Sequence, residues 1–340
     1  MKVVITGGAG FLGRRLAAAL LRRGTLRGLD GRDQEIREIV LIDVVPPPTF
    51  SDARVLSVSG DIADPDVLES AITSDTGSVF HLAAIVSGMA ETDFDLGMRI
   101  NIDATRRLLD VCRASGPGAP CPRLIFTSSI AVYGGDLPET MPDSTAVSPQ
   151  SSYGTQKAVA ELLISDYTRK GFVDGRVLRL PTISVRPGRP NAAASSFASG
   201  IVREPLNGHD AVCPVDAGTR LWLASPSTAI DCLIAGHEVA ADALGLNRIV
   251  NVPGISLTAG EMVEALERVA GPEVARRVRW ERDPRIARIV ASWPGALDTT
   301  RARALGFPGD ETFDAIIRRY MDEELGRIRL KPDPTGMPEC

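Results

Sequence analysis

The sequence predicts an α/β fold, in which a doubly wound parallel sheet is joined to a smaller α/β part at the C-terminal end. Two observations predict it. From residue 2 to residue 182, short runs rich in β-branched residues alternate with longer stretches of helical periodicity, and such alternation is typical of parallel sheets with right-handed crossovers. In addition, 340 residues are enough for one large domain with a smaller part appended to it.

The composition is that of an ordinary globular protein, with 44% hydrophobic and 24% charged residues. A net charge of −5 without Lys/Arg clusters argues against nucleic acid or an anionic membrane as a partner. Because the N-terminus runs directly into a strand pattern, we expect no signal peptide, and no apolar run reaches membrane-spanning length. Five scattered cysteines and three dispersed histidines indicate neither a disulfide framework nor a metal site. We therefore expect a cytoplasmic protein without a bound metal.

A glycine-rich turn follows the first predicted strand, residues 2–6, and precedes a helix. Its glycines have the spacing G-x-x-G-x-x-G. Glycines in this context permit a tight turn, close approach of a pyrophosphate and close helix packing, while the helix N-terminus offers free N–H groups to the phosphates. The residues expected to bind a dinucleotide here are Gly7, Gly10, Phe11, Leu12 and Gly13.

The next strand, residues 39–43, ends at Asp43. A carboxylate there can accept hydrogen bonds from the adenosine ribose hydroxyls and would repel a 2′-phosphate, which favours NAD over NADP. Asp43 lies farther from the glycine turn than is usual, and a polar insertion at residues 25–37, whose role stays open, explains the extra length. The alternative is that Asp43 only forms a turn.

Later strands bring more candidates to the same edge, because ligands of such sheets bind at the carboxyl ends of the strands. Predicted strands cover residues 55–59, 78–84, 123–126 and 177–182, and a long helix covers residues 94–112. Asp61 and Ile62, which follow the strand at residues 55–59, are expected to flank the adenine. The small residues at the end of the strand at residues 78–84 leave room for the cofactor. Ser87 follows in a loop at this edge. The expected cofactor contacts are Asp61, Ile62, Leu82, Ala83 and Ala84.

Tyr153 and Lys157 are four residues apart, so a helix presents them on one face. A free phenol titrates near pH ~10, and an ammonium held close to it favours the phenolate, so the pair can act as an acid/base device. Ser129, at the end of the strand that begins at residue 123, can hold a substrate oxygen while Tyr153 moves its proton. The alternatives are a chance Tyr-x-x-x-Lys spacing and a serine that only ends the strand.

Five motifs in this order resemble the extended short-chain dehydrogenases/reductases, the family that contains the NAD-dependent sugar epimerases and dehydratases. The motifs are Thr6-Gly7-Gly8-Ala9-Gly10-Phe11-Leu12-Gly13, Asp61-Ile62, His81-Leu82-Ala83-Ala84, Ser128-Ser129 and Tyr153-Gly154-Thr155-Gln156-Lys157. The resemblance implies a Rossmann-type sheet, bound NAD and a catalytic set of Ser129, Tyr153 and Lys157. It also implies that Tyr153 contacts the cofactor, that Lys157 hydrogen-bonds the nicotinamide ribose, that Asn101 stabilises the central helix, and that the backbone after Pro181 receives the carboxamide. A homodimer formed through paired helices is usual in the family.

The family contains several chemistries, and the sequence favours one of them. Its dehydratases carry an Asp-Glu pair directly after the catalytic hydroxyl, whereas here Ile130 and Ala131 follow, so elimination is not expected. Residues 179–200 are rich in small and hydroxylated side chains and contain three arginines, and arginine binds carboxylates bidentately. This segment, together with residues 135–139, 149–157 and 219–222, resembles a subgroup that oxidises the four-carbon sugar acid D-erythronate at C2 to the 2-oxo acid. The candidate substrate contacts are Ser87, Ser129, Arg186, Asn191, Ser195 and Arg220, with Arg189 as a further candidate for the carboxylate.

The C-terminal part is expected to bind the substrate. Its pattern predicts a helix at residues 225–244, a strand at residues 248–252, a helix opened by a capping box at residue 258, and a last helix at residues 313–328. We divide the chain into an NAD-binding domain at residues 1–180, a mainly substrate-binding domain at residues 181–330 with some segments returning to the first sheet, and a loose tail at residues 331–340.

Two alternative functions stay open at this point. A nucleotide-sugar 4-epimerase uses the same three catalytic residues and returns the hydride to the opposite face of the substrate. A regulatory module that binds NAD without chemistry is the second alternative, although such a module has no need of a proton acceptor. For each single arginine, a solvated or structural ion pair is the alternative to substrate binding.

Overall fold

The computed structural model describes residues 1–47, 50–114 and 121–325. In chain order, the strands of these ranges are β1 (Lys2–Thr6), β2 (Thr25–Arg27), β3 (Asp33–Glu35), β4 (Glu38–Asp43), β5 (Val55–Ser59), β6 (Thr76–His81), β7 (Arg123–Ser129), β8 (Asp174–Leu180), β9 (Thr182–Ile183), β10 (Ala211–Cys213), β11 (Arg220–Ala224), β12 (Ile249–Asn251), β13 (Ile255–Thr258) and β14 (Val278–Trp280).

The helices of the same ranges cover the faces of the main sheet and build most of the C-terminal part. They are α1 (Phe11–Arg23), α2 (Pro65–Ala71), α3 (Ser87–Thr92), α4 (Phe94–Gly97), α5 (Ala104–Ala114), α6 (Ser152–Arg169), α7 (Phe197–Leu206), α8 (Pro226–Glu238), α9 (Ala241–Leu244), α10 (Ala259–Ala270), α11 (Pro272–Ala275), α12 (Pro284–Ala291), α13 (Thr300–Ala304) and α14 (Phe313–Tyr320). Turns of π-helix or 3₁₀-helix lie at Met98–Asp103, Ile130–Val132, Ala194–Ser196 and Met321–Leu325.

Seven of the described strands form one parallel sheet, which confirms the predicted Rossmann-type fold. The strand order is β12-β8-β7-β6-β1-β4-β5, and all neighbours in it are parallel. The chain runs outward from β1 to β5 and then crosses to β6 on the other side of β1. The order therefore reverses between β1 and β6, and in sheets of this kind ligands bind in the crevice at such a reversal.

Strand β1 separates two hydrophobic cores. Val3 and Ile5 face the core that α1 and α8 cover, whereas Val4 faces the core that α2, α5 and α6 cover. The alternation arises because successive residues of a strand point to opposite faces. All three side chains are fully buried, which explains why this strand is a continuous apolar run in the sequence.

The C-terminal part of the chain builds a third core around Phe197 of α7, Trp222 of β11 and Met262 of α10. The capping box predicted at the start of α10 is confirmed. The Thr258 hydroxyl accepts a hydrogen bond from the Glu261 N–H at 3.1 Å, and the Glu261 carboxylate accepts one from the Thr258 N–H at 2.6 Å. One strand from this part, β12, pairs with β8 and so completes the main sheet.

Three predicted boundaries are wrong. The strand predicted at residues 177–182 is β8, Asp174–Leu180, which ends before Pro181 because proline has no N–H for the sheet. The strand predicted at residues 78–84 is Thr76–His81, because the chain leaves the sheet at Leu82 to pass the glycine turn. The single helix predicted at residues 225–244 is split, because Val239 takes an extended conformation and ends α8. At this end of α8, the buried guanidinium of Arg176 donates to the carbonyls of Gly236 and His237 at 2.7 Å. These carbonyls belong to the last turn, which has no partners within the helix.

Other predictions need smaller changes. The helix predicted at residues 94–112 exists, with a wider π-helical stretch at Met98–Asp103 in its middle and an end at Ala114. The polar insertion at residues 25–37 contains an antiparallel hairpin of β2 and β3. The last predicted helix is α14 followed by the π turn Met321–Leu325, and the tail at residues 331–340 lies outside the described residues.

Candidate functional site

A cavity of about 300 Å³ opens at the carboxyl edge of the sheet, beside the ends of β1, β6 and β7. Its walls come from the main sheet, from α6 and from the C-terminal part of the chain. It is lined by Gly7, Gly10, Phe11, Leu12, Gly13, Leu82, Ala84, Val86, Ser87, Thr127, Ser128, Ser129, Ile130, Tyr153, Lys157, Leu180, Pro181, Thr182, Ile183, Arg186, Asn191, Ala193, Ser195 and Trp293. The structure thus brings the predicted catalytic residues and most of the predicted substrate contacts into one place.

The glycine turn has the conformation that the sequence predicts. Gly7 has a φ of +71°, and a Cβ on it would lie 2.8 Å from the Ala83 nitrogen, while a Cβ on Gly13 would collide with the Gly7 carbonyl oxygen. Helix α1 begins at Phe11, and its N-cap, Gly10, contributes no side-chain cap. The first N–H groups of α1 therefore point to the cavity without a side-chain acceptor, as a pyrophosphate requires.

A second cavity of about 340 Å³ continues from the glycine turn toward β4 and β5. It shares Gly7 and Gly10 with the first cavity and is lined by four further residues predicted to bind the cofactor, Asp43, Asp61, Ile62 and Ala83. The two cavities meet at the glycine turn and together form a groove along the strand ends, with one cavity for each half of a dinucleotide. The residues present therefore fit a nicotinamide dinucleotide.

Two carboxylates of the second cavity are held in place by hydrogen bonds. Asp43 accepts one from the Ala9 N–H of the glycine turn at 3.0 Å and one from the Val45 N–H at 3.2 Å. Asp61 forms an ion pair of 2.6 Å with Arg99, a residue that the sequence did not single out. Although partial burial opposes it, the Ala63 N–H and Arg99 hold the pKa of Asp61 below its usual value.

Ser129 is the last residue of β7, and its hydroxyl accepts a hydrogen bond from the Ala131 N–H at 3.1 Å. The neighbouring Ser128 hydroxyl donates instead to the buried carboxylate of Glu161. Tyr153 lies in the first turn of α6, which approaches the turn after Ser129 closely because Gly154 has no Cβ to collide with the Ala131 carbonyl. The geometry therefore places the phenol of Tyr153 beside the hydroxyl of Ser129.

The pKa of Tyr153 differs from the sequence-based expectation. Burial raises this pKa to about 12, while the Ser129 hydroxyl and the positive charge of Arg186 act in the opposite direction. The expected lowering by Lys157 does not dominate, because the Lys157 ammonium lies 5.7 Å from the centre of the Tyr153 ring. Deprotonation of the phenol therefore depends on further positive charge in the cavity.

Lys157 is 2% exposed, and its ammonium donates a hydrogen bond to the Thr127 carbonyl at 2.9 Å. The same group lies 4.5 Å from the centre of the Phe126 ring, a favourable cation–π distance. Burial lowers the pKa of Lys157 to about 7, although the carboxylate of Glu161 opposes this shift. The side chain can thus gain or lose a proton near neutrality.

Arg186 is the arginine that the structure brings to the catalytic residues. Its side chain lines the cavity, and within the described residues no carboxylate lies within 4.0 Å of it. Burial and the nearby Arg203 lower its pKa, whereas Tyr153 opposes that change. An arginine with a lowered pKa still carries its charge at neutrality. A partly buried cation, without a counterion in the described part of the chain, therefore faces the space beside Tyr153 and Ser129.

The other predicted substrate contacts divide into two groups. Ser87, Asn191 and Ser195 line the cavity, and Ser87 lies at the start of α3 rather than in the predicted loop. Its hydroxyl accepts a hydrogen bond from the Ala194 N–H at 3.1 Å. Arg220 does not line the cavity: it is exposed on β11, 3.9 Å from Glu261, so the structure does not bring it together with the other predicted substrate contacts. Arg189 is exposed and does not line the cavity either.

Asn101 lines neither cavity, and its hydrogen bonds hold together two segments that do. It is 2% exposed, and its amide donates to the Ile85 carbonyl at 3.0 Å and to the Gln156 side chain at 2.7 Å. Its carbonyl oxygen accepts from the Ile85 N–H at 2.9 Å. Asn101 therefore joins the loop after β6 to the helix that carries Tyr153.

Sequence reasoning missed two residues that matter at this site, Glu161 and Trp293. Glu161 follows Lys157 by one helical turn on α6, and this i, i+4 spacing could have identified it. Trp293 comes from the segment after α12 and lines the cavity. No local pattern marks Trp293, because only the packing of the C-terminal part brings it to the catalytic residues.

Comparison with known proteins gives consistent results. The family model described as the NAD dependent epimerase/dehydratase family matches residues 3–222. The chain is 61% identical over 323 residues to D-erythronate dehydrogenase of Cupriavidus necator, covering 95% of this chain and 98% of that protein. It is 48% identical over 326 residues to D-erythronate dehydrogenase of Haemophilus influenzae, covering 96% of this chain and 100% of that protein.

A solved structure is also similar over nearly the whole chain. The crystal structure of the nucleoside-diphosphate-sugar epimerase from Agrobacterium tumefaciens gives a TM-score of 0.88 at 44% identity, covering 96% of this chain and 95% of that chain. Its name and those of the two sequence relatives indicate different reactions on the same fold. Within the described ranges, no helix is long and apolar enough to cross a membrane.

Proposed function

Since the chain belongs to the NAD-dependent epimerase/dehydratase family, we propose that it catalyses the NAD-dependent oxidation of the C2 hydroxyl of D-erythronate to 2-oxo-D-erythronate. The family and the dehydrogenases among its relatives make the chain an oxidoreductase that uses a nicotinamide cofactor and acts on a small molecule. The choice of NAD, of this acid and of the residue roles below is our proposal. A cytoplasmic location is part of it.

Arg186 carries the proposal. A sugar acid carries its negative charge on a carboxylate next to C2, whereas a nucleotide sugar carries it on a diphosphate distant from C4. Arg186 is a charged, partly buried side chain beside Tyr153 without a carboxylate partner within the described part of the chain. A guanidinium binds a carboxylate through two parallel hydrogen bonds. Because C1 is bonded directly to C2, a carboxylate on Arg186 places the C2 hydroxyl within reach of the neighbouring Tyr153 and Ser129.

The size of the cavity supports a small acid. A volume of about 300 Å³ has to accommodate the substrate and the reactive end of the cofactor. Four carbons with three hydroxyls and one carboxylate suit this space better than a nucleoside diphosphate sugar. Ser87, Asn191 and Ser195 supply further polar groups for the hydroxyls.

Tyr153, Ser129 and Lys157 have separate roles in the oxidation of the alcohol. Tyr153, as the phenolate, accepts the proton of the C2 hydroxyl, and Ser129 donates a hydrogen bond to the oxygen that becomes the carbonyl oxygen. Lys157 supplies positive charge that favours the phenolate and accepts or returns a proton near neutrality. When bound, the nicotinamide cofactor supplies the hydride acceptor.

The cofactor contacts follow from the two cavities. We assign the pyrophosphate to the glycine turn with Phe11 and Leu12, and the adenosine ribose to Asp43, whose negative charge favours NAD over NADP. The adenine lies between Asp61 and Ile62. Leu82, Ala83, Ala84, Tyr153, Lys157 and Pro181 complete the proposed contacts at the nicotinamide half.

We also propose a division of the chain and a homodimer. Residues 1–180 form the NAD-binding domain, and residues 181–330 mainly form the substrate-binding domain. Helix α6 exposes Leu162 by 66% and Val159 by 37%, and the preceding helical segment exposes Phe94 by 58%. Such exposed apolar side chains on adjacent helices support pairing of these helices with those of a second copy.

The experiment is to mix the purified protein with NAD and D-erythronate and to record the absorbance of reduced nicotinamide, with L-threonate, D-threonate and UDP-galactose in parallel. Reduction of NAD with D-erythronate alone is the expected result. Interconversion of UDP-sugars without turnover of any acid would replace the dehydrogenase with an epimerase. Cofactor binding without any turnover would favour a regulatory module.

A further inference from the structure

Trp293 has a place in the cavity that the proposed roles above do not use. It lies just after α12, whose packing against the Ala194–Ser196 turn brings it to the side of the cavity formed by Ser195. Its side chain is 9% exposed and belongs to the core of the C-terminal part. The residue therefore connects that core directly with the catalytic cavity.

The indole N–H of Trp293 has no hydrogen-bond acceptor among residues 1–47, 50–114 and 121–325. Among the described residues, the buried side-chain polar atoms without a partner are Gln156 Nε2, His237 Nδ1 and Trp293 Nε1, and of these three residues only Trp293 lines the cavity. The buried Trp222, by contrast, donates its indole N–H to the Val252 carbonyl at 3.2 Å. A buried donor without an acceptor is unfavourable, and an indole can only donate. The acceptor is therefore expected to arrive with a ligand.

We propose that Trp293 determines substrate specificity by donating its indole N–H to a hydroxyl oxygen of the sugar acid beyond C2. This inference rests on the proposed function. In the proposed function, Arg186 binds the carboxylate of the acid, and Ser129 and Tyr153 contact the C2 oxygen. The hydroxyls at C3 and C4 are then free to accept hydrogen bonds from neutral donors. The flat ring also bounds the cavity on this side and limits the length of the acid.

Binding must involve a movement of the ring. The Trp293 nitrogen exposes less than 1 Å², so a hydroxyl oxygen reaches it only when the ring turns toward the acid. Such a turn changes the surroundings of the indole and hence its fluorescence. The chain has three tryptophans, and Trp280 is 44% exposed at the end of β14, away from the cavity. Trp280→Phe therefore serves as the matched control for Trp293→Phe.

The test compares the wild type, Trp293→Phe and Trp280→Phe on D-erythronate and on its 3-deoxy and 4-deoxy analogues. Phenylalanine keeps an aromatic ring but removes the N–H donor together with part of the ring volume. The analogues separate the two effects, because only the loss of the donor depends on the bonded hydroxyl. We expect Trp293→Phe to lower kcat/KM on D-erythronate about 10-fold, mainly through KM, the size expected for one hydrogen bond. On the analogue that lacks the bonded hydroxyl, the wild type and Trp293→Phe become equal within about 2-fold, while Trp280→Phe matches the wild type on every acid.

Fluorescence gives a second readout that a merely structural residue would not affect. Titration with D-erythronate in the presence of NADH is expected to change the emission of the wild type and of Trp280→Phe, but not of Trp293→Phe. An equal loss of kcat/KM on all three acids, or no loss on any, would overturn the role of Trp293 while leaving the dehydrogenase intact. A wild type that turns over none of the acids would overturn the proposed function and this inference together.

Discussion

Glu161 and Arg179 form a buried ion pair one helical turn beyond Lys157, with 2.6 Å between Arg179 Nη2 and Glu161 Oε2. Arg179 also donates to the Tyr133 hydroxyl at 2.6 Å, and the Ser128 hydroxyl donates to Glu161. Each member of the pair is at most 6% exposed. The pair thus joins β8 to the helix that carries Tyr153, and its carboxylate raises the pKa of Lys157 against the effect of burial.

We predict that Glu161→Gln destabilises the protein by about 3–5 kcal/mol, because the substitution leaves the Arg179 charge buried without its counterion. Denaturant unfolding measures the change in the free energy of unfolding. The control is Asp166→Asn on the same helix, where the ion pair with Arg169 is exposed and its loss is expected to change stability by less than about 1 kcal/mol. Equal effects of the two substitutions would show that the buried pair is not the support of α6.

Tyr153→Phe is predicted to lower kcat for D-erythronate oxidation by about 10²–10⁴-fold, because the variant lacks the phenolate that accepts the proton of the C2 hydroxyl. The aromatic ring remains without its hydroxyl, so binding of NADH, followed by its fluorescence, is expected to stay within about 3-fold of the wild type. Turnover at the wild-type rate would remove Tyr153 from the mechanism. Loss of NADH binding would indicate instead that the substitution damages the cavity.

Arg186→Gln is predicted to raise KM for D-erythronate about 10–100-fold, the size of a charge-assisted hydrogen bond to the carboxylate. The matched control is Arg189→Gln, since Arg189 belongs to the same segment, is exposed and does not line the cavity. The control is expected to keep the wild-type KM. The opposite pattern, with the larger increase in KM for Arg189→Gln, would indicate that Arg189 and not Arg186 binds the carboxylate.

The pH dependence of the same variant gives an independent prediction. The positive charge of Arg186 lowers the pKa of Tyr153, whereas burial raises it to about 12. Activity requires the phenolate and so rises with pH as Tyr153 loses its proton. Removal of Arg186 removes a charge that favours the phenolate, so the rise of kcat is expected at higher pH in Arg186→Gln than in the wild type or Arg189→Gln. A shift toward lower pH would contradict this assignment.

The parts of the site that the sequence predicts are those that depend on short-range relationships. The glycine turn, the spacing of Tyr153 and Lys157 on one helix face, and Ser129 at a strand end follow from local geometry and from the rule that strand ends meet at one edge. The i, i+4 spacing on α6 marks Glu161 beside Lys157. The position of Trp293 and the contact of Glu161 with Arg179 depend on packing between separate elements, which no local pattern encodes. Arg186 and Arg220 are alike as arginines in the sequence, and only the fold decides which one lines the cavity.

Cofactor choice gives the last prediction, and it rests on Asp43 in the second cavity. Asp43→Asn keeps the shape and one acceptor oxygen, but it removes the charge that would repel a 2′-phosphate. We expect the ratio of kcat/KM for NAD to that for NADP to fall by at least about 10-fold, measured with D-erythronate and each cofactor in turn. The matched control is Asp61→Asn, because Asp61 lines the same cavity and its charge is already paired with Arg99 at 2.6 Å. The control is expected to keep the wild-type ratio. If the preference for NAD survived Asp43→Asn unchanged, repulsion by this carboxylate would not be its cause, and the shape of the groove around Val44 would have to exclude the 2′-phosphate instead.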